Sequence, residues 1–339
     1  SALPTPAATP PLTQVPWDPS QAGARMIAFA STRFQGSVGA FDVYLFDPAT
    51  ATVYAIPAAN TFADEVHPRL SSNGRWLVFA TNFRGNFDLV RYDLQEQIVD
   101  PLVTLNTLDN EVSPSIDDSG TTLAYLAAVG GVTQIRVFDL LTGVAAVPAP
   151  IAALQALPHS PQISGDGHWL AFSATDVRGA DVYLYKLGDT AVSSPPFVNS
   201  PADDVDPWLS QDGQRLLFAS NRRGSFDLYE ADLVSGFTND LVLASSPGND
   251  REPRYMGLDG KDVLFQSDRS VYEDRIMLFH PGTGIVDTLP LLHEIGEDDI
   301  LGNGYTVPPT VDGPAPVDDG FFGFGDLHRK GPIFGRRGF

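Results

Sequence analysis

No cysteine occurs in the 339 residues, which excludes disulfides, cysteine-ligated zinc, iron–sulfur clusters and thiol catalysis. Lysine is nearly absent as well, with Lys186, Lys261 and Lys330 the only three. Basic residues number 21 against 42 acidic ones, a formal charge of −21. A body so charged repels phosphate backbones, so nucleic acid is not an expected partner. No apolar run approaches the roughly 18 residues of a spanning helix, and no membrane span is expected. No Asn-x-Ser/Thr sequence is present to accept N-linked sugar. Long helices are disfavoured too, because 31 glycines and 28 prolines are spread through the chain.

A hydrophobic content of 43% is ample for a core. The chain opens at Ser1 on a Pro/Ala/Thr stretch, Ala2 to Pro11, as a chain does once a signal sequence has been removed. An extracellular or periplasmic location is therefore expected.

A repeat decides the fold. Proline recurs at Pro68, Pro114, Pro161, Pro207 and Pro253, with spacings of 46, 47, 46 and 46. Each is followed by a glycine (Gly74, Gly120, Gly167, Gly213, Gly260) and then an aromatic (Phe79, Tyr125, Phe172, Phe218, Phe265). A polar position comes next: Asp88, Gln134, Asp181, Asp227 and Asp274. An earlier copy reads Pro16, Gly23, Phe29 and Asp42. Within each copy, four short apolar segments are separated by Gly/Asp/Asn turns, the grammar of an antiparallel meander. One such sheet cannot bury both faces alone, whereas six arranged radially bury each against a neighbour. The expected fold is all-β: a six-bladed β-propeller of four-stranded antiparallel blades over 16–299. A Pro-rich arm (1–15) precedes it, and a Pro/Gly/Phe-rich basic tail (300–339) follows.

The sequence Ser210-Gln211-Asp212-Gly213, its apolar strand, Asn221-Arg222-Arg223-Gly224 and Phe226-Asp227-Leu228-Tyr229 resemble the WD40-like repeat of TolB-type propellers. Blade two matches well (Pro68 to Gly74, then Phe87-Asp88-Leu89-Val90), while blade one matches least. The resemblance implies the propeller fold. It leaves no room for the α/β domain that precedes the propeller in TolB, or for the hydrolase domain of prolyl-oligopeptidase-like enzymes.

The recurring Asp42, Asp88, Asp181, Asp227 and Asp274 stand where the middle hairpin returns into a strand, and are read as structural turn residues. A second acidic set precedes the repeat prolines, broken in blade four by Leu157-Pro158-His159-Ser160: Asp64, Glu65, Glu111, Asp203, Asp204, Asp206, Asp250 and Glu252. With the first strand of each blade innermost, these carboxylates converge at one mouth of the central channel. They form either a solvated acidic rim for basic partner segments or a candidate Ca²⁺ site. No cofactor is required by anything in the chain.

Catalytic arrangements are missing or weak. There is no Gly-x-Ser-x-Gly elbow and no P-loop, and His293-Glu294 opens like a zincin motif without its second histidine. The six histidines share no metal-ligand spacing. The chain is read as a non-enzyme.

The tail departs from the acidic body. Phe321, Phe322, Phe324, Phe334 and Phe339 stand among Arg329, Lys330, Arg336 and Arg337. Aromatic anchors with arginine charges have the composition of an interface core, and their charge complements the body. The expected partner is a second copy of the chain, the tail docking on a neighbouring subunit in a fibre or similar homopolymer. The alternative is a TolB-like propeller that binds another extracytoplasmic protein or peptide at the acidic channel mouth. A sugar-binding or enzymatic propeller is the third reading.

Overall fold

A computed structural model describes residues 14–21, 25–31, 40–257, 259–269 and 275–289. The described residues are built almost wholly of strands, in six sheets. Blade one holds β1 (Gln14–Pro16), β2 (Ile27–Ser31), β3 (Asp42–Asp47) and β4 (Thr52–Ala55). Blade two holds β5 (Glu65–Leu70), β6 (Trp76–Thr81), β7 (Asp88–Asp93) and β8 (Ile98–Asp100). Blade three holds β9 (Glu111–Ile116), β10 (Thr122–Val129), β11 (Val132–Asp139) and β12 (Val144–Ala146). Blade four has three strands, β13 (Leu157–Ile163), β14 (Trp169–Asp176) and β15 (Gly179–Lys186). A single Leu184–Ser193 bridge stands in place of its fourth. Blade five holds β16 (Asp204–Leu209), β17 (Arg215–Ser220), β18 (Asp227–Asp232) and β19 (Phe237–Asp240). Blade six holds β20 (Asp250–Met256), β21 (Asp262–Ser267), β22 (Arg275–His280) and β23 (Ile285–Thr288).

The core lies between blades, as the radial arrangement requires. Phe29, Phe79, Tyr125, Phe172, Phe218 and Phe265, one per blade, have no accessible surface. Burying each contributes about 1.5–3 kcal/mol. The ring meets itself where Phe29, Phe46 and Val53 of blade one pack against Met256, Leu264 and Leu278 of blade six. Tight turns at one face join first to second strands. Gly120, at φ +71°, shows why a glycine is needed there, since a Cβ would lie 2.2 Å from the Trp76 ring of the preceding blade. That face carries the turns between first and second and between third and fourth strands, and is called the turn face below. The opposite, loop face carries the loops between second and third strands and between blades.

Two features depart from the sequence reading. The segment around Pro16 does not form the innermost strand of blade one. Residues 14–16 instead run parallel to β4 at the outer edge, with Val15 opposite Tyr54. Trp17 secures them, its amide bonding to the Ala55 carbonyl and its indole N–H to the Leu94 carbonyl. Among the described residues the sheet order β1-β4-β3-β2 places β2 nearest the axis in blade one. In blade six, the residue opposite Ser267 is Arg275, whereas Ser31, Thr81 and Ser220 face Asp42, Asp88 and Asp227. The extra loop residue shifts the register, and Asp274 lies outside the described residues.

Candidate functional site at the channel

Five inner strands, β5, β9, β13, β16 and β20, surround the axis. In each, the residue before proline adopts a left-handed backbone: His67 (φ 53°), Ser113 (50°), Ser160 (46°), Asp206 (53°) and Glu252 (49°). The pairing register slips at the same place in each of these five blades, as between Val66 and Arg69. This is a β-bulge repeated around the ring, and a bulge re-aims the side chains that follow. Adjacent bulges touch, the Ser113 amide lying 3.4 Å from His67 Nδ1.

The pre-proline carboxylates divide into three groups. Glu65, Glu111, Asp204 and Asp250 are buried, each at 1% exposure or less. Each accepts the amide four residues back: Thr61 to Glu65, Thr107 to Glu111, Ser200 to Asp204 and Ser246 to Asp250. The Thr61, Thr107 and Ser200 hydroxyls donate to the same carboxylates. In blades five and six a guanidinium completes the latch, Arg222 at 2.6 Å from Asp204 and Arg269 at 2.9 Å from Asp250. Asp64 and Asp203 form the second group and pin loops, accepting the Phe41 and Ala180 amides and the Asn82 and Asn221 side chains. Only Asp206 and Glu252, the third group, stand on the bulges. Asp206 pairs with Arg251 at 3.2 Å and Glu252 with Arg254 at 3.1 Å. The structure therefore does not bring the eight together as one rim. Among the described residues, no cluster of three His, Asp or Glu side chains is arranged to hold a metal ion.

Among the described residues Glu65 is held by Thr61 and Thr81 alone, without a guanidinium. Burial pushes its carboxyl from about 4.5 up to about 7, against the Thr61 and Thr81 hydrogen bonds that favour the charge. A carboxyl raised in the folded state stabilises the fold below its unfolded value, and that contribution fades as pH rises through the folded one. Stability is thus expected to fall between about pH 4.5 and 7 and to level off above. Glu65→Gln removes roughly 3 kcal/mol of that fall. Urea unfolding of both proteins across this range reads the difference, and parallel profiles would contradict it.

The residues after the prolines were not picked out in the sequence, and they line the channel. Ser115 Oγ accepts the Ile163 amide and Gln162 Oε1 accepts the Leu209 amide, tying neighbouring inner strands together. Arg69 and Arg254 lie 5.1 and 5.3 Å from the centre of the Trp208 ring. Arg69 is 4% exposed, and its Nε and Nη1 have no hydrogen-bond partner among the described residues. Burial and the neighbouring Arg254 charge both pull its pKa down, while burial pushes Glu252 up. These residues border a cavity of about 240 Å³, which runs past Met26, Ile27 and Ala28 between blades one, two, five and six. The signal was in the sequence, since Arg69, Trp208 and Arg254 each directly follow a repeat proline.

The turn aspartates are placed less uniformly than their spacing implies. Asp42 accepts the Tyr44 hydroxyl and Asp88 the Asn86 side chain. Burial raises Asp88, Asp181 and Asp227. The tail residues Phe321, Phe322, Phe324, Arg329, Lys330, Phe334, Arg336, Arg337 and Phe339 lie outside the described residues. Among the described residues no helix is long and apolar enough to cross a membrane.

No protein-family model matches the chain, and no curated protein matches it in sequence. Solved structures do match its fold. TolB from Acinetobacter baumannii superposes with a TM-score of 0.62 at 15% identity, over 78% of this chain and 63% of that one. The chain thus matches less than two thirds of that TolB. An oligogalacturonate lyase from Vibrio parahaemolyticus gives 0.57 at 13% identity, over 86% and 80%. The propeller domain of the Trilobed protease from Pyrococcus furiosus, described as having an open velcro topology, gives 0.51 at 11%, over 78% and 94%. The chain has the TolB-like six-bladed propeller fold, a fold met both in TolB and in an oligogalacturonate lyase.

Proposed function

We propose that the protein is an exported, non-catalytic propeller acting as a self-assembling structural subunit, its basic tail docking on the loop face of a neighbouring copy. The observation that carries this reading is an aromatic pair standing in solvent on that face. Phe62 and Phe83 are 82% and 50% exposed, and their rings lie 5.1 Å apart. Leu108 and Val177, both almost wholly exposed, stand in loops of the same face on the blades beyond. Paired exposed aromatics on a rigid scaffold fit a docking surface better than scattered solvation does. The five phenylalanines and four basic side chains of residues 321–339 bring aromatic groups to it and a charge opposite to the chain's net −21. Polar groups at the channel mouth are engaged in latches, which supports a holding role over a chemical one.

Sizing full-length protein against a chain lacking residues 317–339, and against Phe62→Ser/Phe83→Ser, tests this. Full-length protein is expected to form large particles and both variants to remain monomeric. A monomer in all three would end the assembly reading. The second reading, a TolB-like propeller that binds a heterologous peptide, is favoured by the Arg69–Trp208–Arg254 cavity, whose cations suit a carboxylate-bearing segment.

A further inference from the structure

We infer that the axis of the propeller binds a small carboxylate, held by the Arg69 guanidinium between the inner strands of blades two, five and six. Arg69 is 4% exposed, and no acceptor meets its Nε or Nη1 among the described residues. Buried donors are almost always paired, and a buried cation without a partner is costlier still. The two carboxylates nearby are already engaged, Glu252 with Arg254 at 3.1 Å and Asp206 with Arg251 at 3.2 Å. This deepens the second reading above, and rests on it in taking the Arg69–Trp208–Arg254 cavity as a binding site.

The frame around Arg69 is stiff. At the turn face, the turns of blades two to five are laced to one another across the axis. The Asn73 backbone amide and the Gln211 side-chain amide both donate to the Asp118 carboxylate at 2.9 Å. The Asp118 amide donates to the Gly165 carbonyl, and the Asp166 amide to that of Gln211. The fit is close enough that a Cβ at Gly165 would lie 3.0 Å or less from Gln211, Asp118 and Ser72 alike. These ties fix β5 against β16, so that Arg69 keeps its place 5.1 Å from the centre of the Trp208 ring. Its N–H groups are satisfied by a ligand that comes to them and not by movement of the blades.

The balance of charge selects the ligand. Arg69, Arg251 and Arg254 stand with Asp206 and Glu252, three cations against two anions. One further negative charge neutralises the group, which fits a monocarboxylate, whereas a dianion such as sulfate overshoots. Guanidinium and carboxylate meet in charge-assisted hydrogen bonds, about twice as strong as neutral ones. Leu70, Trp208 and Leu209 on the same wall offer apolar surface to a short hydrocarbon body.

Melting the full-length protein in acetate and in chloride of equal ionic strength tests this, with Arg69→Met alongside. The pH is held near 8, where Glu252 is largely charged. The parent is expected to melt at least about 2 °C higher in acetate, by mass action on the folded state. Arg69→Met puts an apolar chain in place of the cation. It is expected to lose the acetate response and to melt in chloride no lower than the parent. Acetyl-dialanine separates the two sources of a carboxylate. A response to it assigns the site to a peptide terminus, and a response to acetate alone assigns it to a free acid. Equal acetate responses in the two proteins, or none in the parent, would overturn the site. A variant melting well below the parent in chloride would do the same, because Arg69 would then be structural. The second reading survives either result, since a peptide can bind at the channel mouth without reaching Arg69.

Discussion

Asp204→Ala is expected to lower the unfolding free energy by about 3 kcal/mol, among the largest single losses available outside the aromatic core. Three donors converge on this carboxylate, which has no accessible surface: the Ser200 amide and hydroxyl and the Arg222 guanidinium. Removing it strands the Ser200 amide and leaves a cation that is three-quarters buried facing an apolar methyl. Arg222 keeps the Val198 carbonyl and Ser220 hydroxyl, which holds the cost near the low end for a broken buried pair. Asp204→Asn, which retains an acceptor for the Ser200 amide, is expected to lose less than half as much. Chemical denaturation reads both, and a loss under about 1 kcal/mol for alanine would show that the latch is slack. Asp204 is consequently a poor probe of partner binding, because any effect there is first an effect on the fold.

A comparable loss, about 3–5 kcal/mol, is expected for Glu252→Ala. Glu252 is 2% exposed and lies against Arg254, with Arg69 across Trp208. Two buried guanidinium groups then share one cavity, with the Asp206 charge still acting on both. The variant should also become sensitive to added sulfate, gaining more in melting temperature than the parent, because an anion replaces part of what was removed. Equal salt responses, together with a small loss, would mean that Glu252 does not balance these cations.

The sequence spoke clearly about whatever repeats and poorly about whatever closes. The 46-residue period placed the six buried aromatics and five inner strands correctly, because each blade packs on its neighbour by the same local pattern. The period also over-reached at the first copy. Pro16 and Gly23 match the spacing, yet residues 14–16 gain hydrogen bonds and the Trp17 anchor at the outer edge. The acids before the prolines looked like a solvated rim because they are charged and regularly spaced. Their partners lie four residues earlier, at Thr61, Thr107, Ser200 and Ser246, through the amide in all four and the hydroxyl in the first three, so a local hydrogen-bonded turn was legible beside the charge. Arg69, Trp208 and Arg254 meet only because blades two, five and six curve round to face one another. That is a property of the whole circle and is carried by no single segment.

Every inner strand of the propeller runs in the same direction, from the loop face to the turn face. The disc is therefore two-sided in what it offers a visitor: Phe62, Phe83, Leu108 and Val177 stand in solvent on the side where the inner strands begin, and glycine turns such as that at Gly120 close the side where they end. Anything that settles by its greasy contacts meets one side of the disc and leaves the other bare.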